Sequence, residues 1–468
     1  MYDPEIPNLG GAFKPLNRVK LNMTKARLDG LYFFWLGGVL FILLGFGLEN
    51  VAPAPLTDFR VVYYPARCLV QHCDPYLETE VMRISQAEEG IRPFESEQGR
   101  HVVARFFYLP TAFFFTVPFA ILPWGPAHIL WILFTVGSFI VGSFLIWDLG
   151  ANDAPILSGV LVGFLVANSE VFIISGNAAG IVIGFCAVAV WCFQRERFVL
   201  VGILCLAVSL ALKPQDAGLV WLYFLLAGGL YRRRALQTLL ATVALSLPGV
   251  LWVGHVAPHW IQELHSNILA FSVGSLNDPR LASPNIAGVI ELQTVISVFR
   301  DDPRIYNPVS YLICGALLLV WIFVTLRSRS SQERTWLALA VIPALSILPV
   351  YHRQYDAKLL LLAVPACAML WAEKGMIGKI ALLVNATAFV LIGDIPSMIF
   401  LRLINRMHLP ADGLSARMWV HAMVFRTPLV LLIVGIFYLW IYALRRSAPA
   451  QSQASGKPAE TPSAPSLA

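Results

Sequence analysis

The sequence predicts an all-α polytopic membrane protein, a bundle of about twelve transmembrane helices with a re-entrant segment and large outer-face loops. The first observation is composition, since 57% of the 468 residues are hydrophobic and only 13% are charged. Soluble domains have about half apolar and about a quarter charged residues. The second is that apolar runs of span length recur along the chain, and the third is that basic residues cluster in some of the connections. A string of soluble domains and a disordered scaffold are therefore excluded.

Twelve apolar runs approach the length of about 20 residues that a helix needs to cross the hydrocarbon layer. They lie near residues 31–49, 106–123, 127–147, 180–194, 198–212, 216–230, 235–254, 309–326, 336–350, 357–372, 378–393 and 427–444. A further apolar stretch, 156–175, carries Glu170 near its middle and is followed by a break at Gly176. Because charge inside a lipid-facing helix is costly, this stretch is predicted to be broken or re-entrant.

Basic clusters at the ends of the spans predict which side of the membrane each connection faces. When these clusters are placed in the cytoplasm, both termini also lie in the cytoplasm. The stretch 156–175 then begins and ends on the same side of the membrane. The predicted organisation is a cytoplasmic N-terminal segment 1–30, a transmembrane domain 31–446 in the plasma (inner) membrane, and a disordered cytoplasmic tail 447–468. The large loops predicted on the outer face are 50–105, 255–308 and 394–426.

Charge and cysteine content narrow the function classes further. The net charge is +6, from 34 basic and 28 acidic residues. Since the basic residues are spread over many short loops, a nucleic-acid partner is not expected. Seven cysteines are too few for a disulfide scaffold in a chain of this length. Cys68 and Cys73 share one polar loop and would pair in an oxidising compartment, so their state is left open.

Asp58 lies a few residues beyond the first span, at the depth where a lipid-anchored group would meet water. A carboxylate at this place is able to act as a general base. The alternative is that Asp58 caps a helix beginning at Phe59, and residue chemistry alone favours that common use of Asp. Asp74-Pro75 is more plainly a turn or helix-start signal, and Tyr64 has an alternative as an interfacial aromatic.

Two further positions place charge at the ends of spans on the outer side. Lys213, which stands before Pro214-Gln215, is either a phosphate partner or a snorkelling lysine, and the two interpretations are even. The segment 351–358 is dense in ionisable side chains between two spans, which indicates a functional site. The alternative is a solvated loop with an Arg353–Asp356 pair, because surface ion pairs are common and weak.

The evidence for a metal or a cofactor is weak. His255 and His259 are spaced so that both rings lie on one helical face, which zinc is able to use. However, Pro258 lies between them and no second ligand motif accompanies them. The sequence contains no D-x-D, no P-loop and no glycine-rich dinucleotide motif. Neither a metal site nor a cofactor is expected.

Six short motifs follow one another in order between about residues 30 and 370. They are Asp58-Phe59-x-x-x-x-Tyr64, Asp74-Pro75-Tyr76, Tyr108-Leu109-Pro110, Gly176-Asn177, Lys213-Pro214-Gln215 and Tyr355-Asp356. None of them is specific alone, but the ordered set resembles glycosyltransferase family 87 of the GT-C superfamily. Leu109 stands where the family usually has a proline, and the glutamine that often follows the glycine of Gly176 is missing.

The resemblance implies a GT-C-like bundle that moves a sugar, with inversion, from a polyprenyl-phosphate donor to an acceptor hydroxyl on the outer face. It implies Asp58 as the base, by motif position. The leaving phosphate needs fixed cations, for which Lys213 is the first candidate, followed by Arg353, His352 and Arg60. Candidate sugar- or acceptor-binding residues are Tyr64, Asp74, Tyr108, Asn177, Gln215, Tyr355 and Asp356.

The implied partners are a polyprenyl-phosphate sugar, a glycolipid or polysaccharide acceptor and the bilayer. Mannose is the favoured sugar because it is the best-known donor group of the family. Two other function classes were weighed. The span count alone is compatible with a flippase or transporter of lipid-linked glycans, although transporters place ionisable groups near the midplane in related halves. A non-catalytic scaffold would instead use the loop 255–308 to bind a partner.

Overall fold

A computed structural model describes residues 24–52, 55–89, 97–272, 278–280, 283, 288–328, 331–406 and 414–445. Residues 1–23 of the predicted cytoplasmic segment and the whole predicted tail 447–468 lie outside the described residues. The described residues form helices and connections, with one isolated antiparallel β-bridge between Val289 and Arg353. The all-helical class predicted from the sequence is therefore confirmed.

Twenty α-helices, numbered in chain order, make up the described part of the chain. The first ten are Lys25–Glu49, Thr57–Val70, Glu78–Glu89, Glu97–Ala104, Phe113–Ala120, Trp124–Gly150, Pro155–Ala167, Val171–Ile174, Ala179–Arg195 and Val199–Leu212 (α1–α10). The others are Pro214–Ala227, Gly229–Val256, Trp260–Ser272, Leu292–Ser297, Pro303–Arg327, Gln332–Ile347, Val364–Ala372, Met376–Ile392, Asp394–Arg406 and Leu414–Leu444 (α11–α20). Two 3-10 helices, Pro110–Ala112 and Asp356–Ala363, precede α5 and α17.

Six helical segments in the described part of the chain are long and apolar enough to cross a membrane. They are α1, α6, α7 continued by α8, α12, α15 and the Met418–Leu444 part of α20. Helices α1, α12 and α15 expose many large apolar side chains, which suits contact with lipid. The protein is thus a multi-pass membrane protein. The count of twelve spans and a re-entrant path for 156–175 remain predictions.

Several predicted spans are short helices or pairs of helices. The helical part of the predicted span 106–123 begins at Pro110 and ends at Ala120, and Pro118 lies inside it. A proline has no N–H to donate and clashes with the preceding turn, so it limits the length of a helix. Short helices leave backbone ends inside the bundle, where they are available to build a site.

The α1–α7 contact is the tightest helix pair of the bundle. A Cβ atom on Gly37 would collide with the backbone of Gly163, and a Cβ atom on Gly163 would collide with the carbonyl group of Phe33. Small residues let two membrane helices approach until their backbones touch, and dispersion contacts then hold them together. This pair fixes α1, and with it the chain that leads into α2.

The predicted outer loops contain helices of their own. The loop 50–105 folds into α2, α3 and α4, and Cys68 and Cys73 are joined by a disulfide at the end of α2. The loop 255–308 contributes α13 and α14. Helix α13 packs on the first loop, because Asn267 Nδ2 donates to the carbonyl oxygens of Tyr76 and Phe106, each at 3.0 Å. Together these elements close one end of the bundle.

Candidate active site

A cavity of about 440 Å³, here called the central cavity, lies where α2, α13 and three breaks between helices meet. The breaks are the Ser175–Asn177 turn, the Lys213 junction and the segment 351–356. The lining residues are Thr57, Asp58, Val61, Val102, Phe107, Tyr108, Leu109, Val171, Ser175, Leu212, Lys213, Pro214, Gln215, Phe271, Tyr351, Arg353, Tyr355 and Asp356. Four of the six sequence motifs, which are far apart in the chain, therefore contribute to the lining of one cavity.

Asp58 lies in the first turn of α2, whose start is tied to the turn after α8. The backbone N–H groups of Asp58 and Phe59 both donate to the carbonyl oxygen of Ser175, at 2.9 and 3.2 Å. The residue preceding the helix is Leu56, and no side-chain hydrogen bond caps this end. The expectation that Asp58 serves as an N-cap is therefore wrong, and its carboxylate faces the cavity instead.

Asn177 holds the Asp58 carboxylate in place. Its Nδ2 donates to Asp58 Oδ2 at 2.9 Å, while its Oδ1 accepts from the N–H of Ala179 at 2.8 Å, which fixes the orientation of the amide. Gly176, which lies between Ser175 and Asn177, has φ of +66°. A Cβ atom at this position would lie 2.9 Å from Cβ of Phe59. Only glycine fits this position. The turn thus orients the Asp58 carboxylate, although Asn177 itself does not line the central cavity.

Lys213 occupies the junction between α10 and α11. Pro214 starts α11, and the residue before a proline is driven out of the helical region, so the backbone turns at Lys213 (φ −141°, ψ 79°). Its ammonium lies 3.2 Å from Asp216 Oδ2, forms a short ion pair with Asp356 and lies 5.2 Å from the ring centre of Tyr355. These two ion pairs compensate the charge of this buried lysine.

The segment 351–356 supplies the opposite wall of the cavity. Its backbone pairs with the chain before α14, since the N–H of Ile290 donates to the carbonyl oxygen of His352 at 2.9 Å. The N–H of Arg353 donates to Asp356 Oδ2 at 3.0 Å, and Arg353 Nε donates to the hydroxyl of Tyr351. Asp356 therefore connects Lys213 to Arg353. The solvated loop with a weak surface pair, considered for this segment, is wrong because Asp356 is buried.

His352 stands behind the cavity and completes the ionic cluster. Its Nε2 lies 3.0 Å from Asp216 Oδ1, and its Nδ1 lies 2.8 Å from the carbonyl oxygen of Val350. Burial lowers the pKa of His352, but the contact with Asp216 outweighs it and raises the pKa above its ordinary value. With His352 protonated, two cations and two carboxylates balance in the cluster of Lys213, Asp216, His352 and Asp356.

Three members of this cluster have the donor types of a metal site. One ligand atom each of Asp216, His352 and Asp356 lies within 4.8 Å of the others. The Lys213 ammonium, however, contacts both carboxylates and occupies the position that a cation would take. A second group of side chains with metal-ligand atoms consists of Cys68, Cys73 and Glu80, but its two cysteines form a disulfide with each other. The expectation that no metal is used stays a prediction.

Seven of the twelve predicted site residues line the central cavity. They are Asp58, Tyr108, Lys213, Gln215, Arg353, Tyr355 and Asp356. Asn177 donates to the lining residue Asp58, and His352 contacts Asp216, which in turn pairs with the lining residue Lys213.

The other three predicted residues do not line the central cavity. Arg60 lies 5.2 Å from the ring centre of Trp124, on which Tyr64 is also stacked. Asp74 Oδ1 accepts from the N–H of Tyr76 at 2.9 Å.

Sequence reasoning passed over Asp216 and Tyr351. Asp216 is three residues after Lys213, so the two side chains share one side of the chain at the start of α11, and this spacing was the available signal. Tyr351 precedes the recognised charged residues, and no feature of the sequence distinguished it from an interfacial aromatic. Asp216 pairs with His352, far away in the chain, whereas Tyr351 pairs with nearby Arg353.

Comparison with known proteins decides the family. The family model "Glycosyltransferase family 87" matches residues 106–349, more than half of the chain. The chain belongs to glycosyltransferase family 87. Searches of curated proteins and of solved structures found no significant match.

Membership makes this family-87 protein an enzyme that transfers sugars, and the resemblance seen in the sequence is confirmed. The matched part of the enzyme includes Tyr108, Asn177, Lys213 and Gln215. Asp58 lies before it, and the segment 351–356 lies after it. The geometry therefore brings residues outside the match to the same cavity as residues inside it.

Proposed function

We propose that this enzyme transfers a sugar, with mannose as the favoured candidate, from a polyprenyl phosphate to an acceptor hydroxyl on the outer face of the plasma (inner) membrane. The observation that carries the proposal is the central cavity, which holds the oriented carboxylate of Asp58 and the guanidinium of Arg353 beside the Lys213–Asp356 ion pair, within a membrane protein of family 87. A carboxylate base and a cation for the leaving group are what a displacement at the anomeric carbon of a sugar phosphate needs.

Asp58 is the proposed base. The acceptor oxygen attacks C1 of the sugar from the face opposite the phosphate, and Asp58 takes its proton. The C1–O bond to the phosphate breaks at the same time, the electron pair leaves with the polyprenyl phosphate, and the configuration at C1 inverts. The hydrogen bond from Asn177 supports this role, because a base must be held in a fixed geometry to act.

Arg353 is the proposed main partner of the leaving phosphate. Lys213 was the first candidate from sequence, but its charge is already compensated by Asp216 and Asp356. A guanidinium stays protonated and matches the geometry of phosphate oxygens in a bidentate manner. Lys213 supports it indirectly, since Asp356 binds both the Lys213 ammonium and the backbone N–H of Arg353.

The proposed reaction is tested with purified protein in lipid nanodiscs, radiolabelled polyprenyl-phosphate sugars and a panel of octyl glycosides as acceptors. The wild type is expected to transfer from at least one donor, equally with and without EDTA. Asp58→Asn, which keeps size and shape, is expected to lower the rate about 10²–10⁴-fold, while Asp153→Asn at the opposite end of the bundle leaves it unchanged. Full activity of Asp58→Asn would remove the base from the mechanism.

Two further measurements test the stereochemistry of the transfer and the choice between transferase and transporter. Nuclear magnetic resonance of the product is expected to show the anomeric configuration opposite to that of the donor. Vectorial movement of a lipid-linked glycan across liposomes without any sugar transfer would favour the transporter alternative. A retained configuration would exclude the single displacement described here.

A further inference from the structure

A second cavity of about 480 Å³, here called the side cavity, adjoins the central cavity. The two share Phe107, Phe271 and Tyr351 as a common wall. The other lining residues of the side cavity are Ile268, Pro279, Glu291, Gln293, Pro303, Tyr306, Asn307, Tyr311 and Val350. It therefore lies between α13 and the start of α15, one side chain away from the proposed reaction centre.

Gln293 is a buried polar group with an unfilled acceptor. Its side chain is 3% exposed, and its Nε2 donates to the carbonyl oxygen of Pro349 at 2.9 Å. Its Oε1 is buried and has no hydrogen-bond partner among the described residues. Leaving a buried acceptor unsatisfied costs about 1–3 kcal/mol. A group of this kind on the wall of a cavity is explained when an occupant donates a hydrogen bond to it.

The charge of the side cavity differs from that of the central cavity. Glu291 is the charged residue among the described residues that line it, whereas Lys213 and Arg353 line the central cavity. An ionised Glu291 would repel a phosphate, and the described lining residues include no cation to bind one. A neutral molecule rich in hydroxyl groups suits the wall, since hydroxyl groups both donate and accept.

The remaining polar and aromatic side chains of the side cavity also suit a molecule rich in hydroxyl groups. Asn307 offers an amide, and Tyr306 and Tyr311 offer rings with a hydroxyl group at one edge. Rings of this kind combine an apolar face with a polar tip, which suits a sugar ring that has both C–H and O–H surfaces. Burial raises the pKa of Glu291 to about 7, although nearby His352 opposes the shift. Near neutral pH this carboxyl group is therefore able to donate as well as to accept.

We propose that the side cavity binds the carbohydrate of the acceptor, with Gln293 and Glu291 as its polar contacts. This inference rests on the proposed function, in which Asp58 accepts the proton of an acceptor hydroxyl. The shared wall at Tyr351 places a hydroxyl group of a sugar held in the side cavity towards the central cavity. The same tyrosine accepts a hydrogen bond from Arg353, so it connects the two binding regions.

The test measures the KM values for donor and acceptor separately. Gln293→Met removes the acceptor oxygen at nearly constant length, and Glu291→Gln removes the charge. With a saturating polyprenyl-phosphate sugar and varied octyl glycoside, each variant is expected to raise the acceptor KM about tenfold, as the loss of one buried hydrogen bond does. The donor KM is expected to stay at the wild-type value. Gln262→Met, at an exposed position of α13, is the matched control.

An unchanged acceptor KM in both variants, or an equal rise in donor KM, would overturn the assignment while leaving the transfer reaction intact. A photoreactive octyl glycoside, used without donor, tests binding independently of transfer. Labelling within 288–311 that is lost in Gln293→Met supports the site even when no donor gives transfer, in which case only the proposed reaction fails. Labelling of a folded wild-type protein only at residues that do not line the side cavity overturns the site.

Discussion

Two buried lysines of this protein have similar partners and different surroundings. Lys213 forms ion pairs with Asp216 and Asp356 on the wall of the central cavity. Lys358 forms an ion pair with Asp394 at 3.1 Å and donates to the carbonyl oxygens of Asn168 and Ile392, at 2.5 and 2.7 Å. Lys358 is 0% exposed and lines neither of the two cavities.

The difference shows that a buried charge does not by itself mark an active site. Lys358 connects the end of α7 to the α18–α19 junction, and Asp394 Oδ2 also accepts from the N–H of Val171 at the start of α8. These are backbone groups at helix ends that need partners in any case. Lys213 instead lines the central cavity itself and pairs there with Asp356, which lines the same cavity. We therefore expect the Lys213 cluster to control activity and the Lys358 cluster to control stability.

The largest effect expected in this comparison is that of Lys213→Met on activity. The substitution leaves Asp216 and Asp356 buried without their cation, so Asp356 no longer holds the backbone of Arg353 in place. The rate of sugar transfer per folded molecule is expected to fall about 10²–10³-fold, the usual loss for one electrostatic element of a reaction centre. The rate is measured on the monodisperse fraction from size-exclusion chromatography, with the exposed Lys374→Met as control. A rate near that of the wild type would remove Lys213 from the site.

Lys358→Met is expected to give the largest loss of stability. Removing one partner of a buried ion pair costs about 3–5 kcal/mol in free energy of unfolding, because the other charge is left uncompensated. Thermal unfolding in detergent is expected to show a much lower Tm, while the folded fraction keeps its specific activity. The double variant Lys358→Met with Asp394→Asn is expected to recover part of the loss. A Lys358→Met variant that is stable but inactive would contradict the proposed difference between the two lysines.

The third prediction concerns the pH dependence of the Lys213 cluster. The pKa of His352 is raised in the folded protein, so the protonated ring stabilises the fold fully below its ordinary pKa of about 6.5. This stabilisation is lost as the pH rises through the folded-state pKa. The Tm of the wild type is therefore expected to fall above pH 6.5 more steeply than that of His352→Gln. Parallel profiles for the two proteins would show that His352 does not titrate with folding.

The smallest effect on stability is expected for the carboxyl pair of Glu263 and Asp74. Burial and the neighbouring Asp74 raise the pKa of Glu263 to about 7 from its ordinary value of 4.5. The folded state then binds more protons than the unfolded state between these values, so this pair lowers stability as the pH rises from 4.5 to 7. Glu263→Gln is expected to have a slightly higher Tm than the wild type at pH 8 and the same Tm at pH 4. Asp74→Asn should act in the same direction at pH 8, and a lower Tm for Glu263→Gln would contradict the pairing.

Much of the central cavity was predictable from short motifs. Asp58, Tyr108, Lys213 and Tyr355 were named from short motifs whose ordered set resembles family 87, and several of these motifs contain a proline where the chain must turn. Local signals of this kind are visible in sequence since they depend on neighbouring residues. The same reasoning misplaced Tyr64, because packing on Trp124 is a contact between distant segments.

The side-chain partners were less predictable than the turns. Lys358 and Asp394 pair across 36 residues, and His352 pairs with Asp216 across 136 positions in the sequence. No periodicity or spacing specifies such a pair, since it results from how whole helices pack. Span counting met a related limit, because hydropathy alone does not decide whether a short apolar helix such as α10 crosses the membrane.

The turn at Lys213 has a consequence for the membrane around the protein. Helices α10 and α11 have 14 residues each, which gives each a length of about 21 Å. The hydrocarbon layer is about 30 Å thick. Neither helix alone is therefore long enough to cross this layer. We propose that the bilayer thins around the Lys213 turn, so that the proposed lipid-linked sugar reaches the central cavity in a local depression of the membrane.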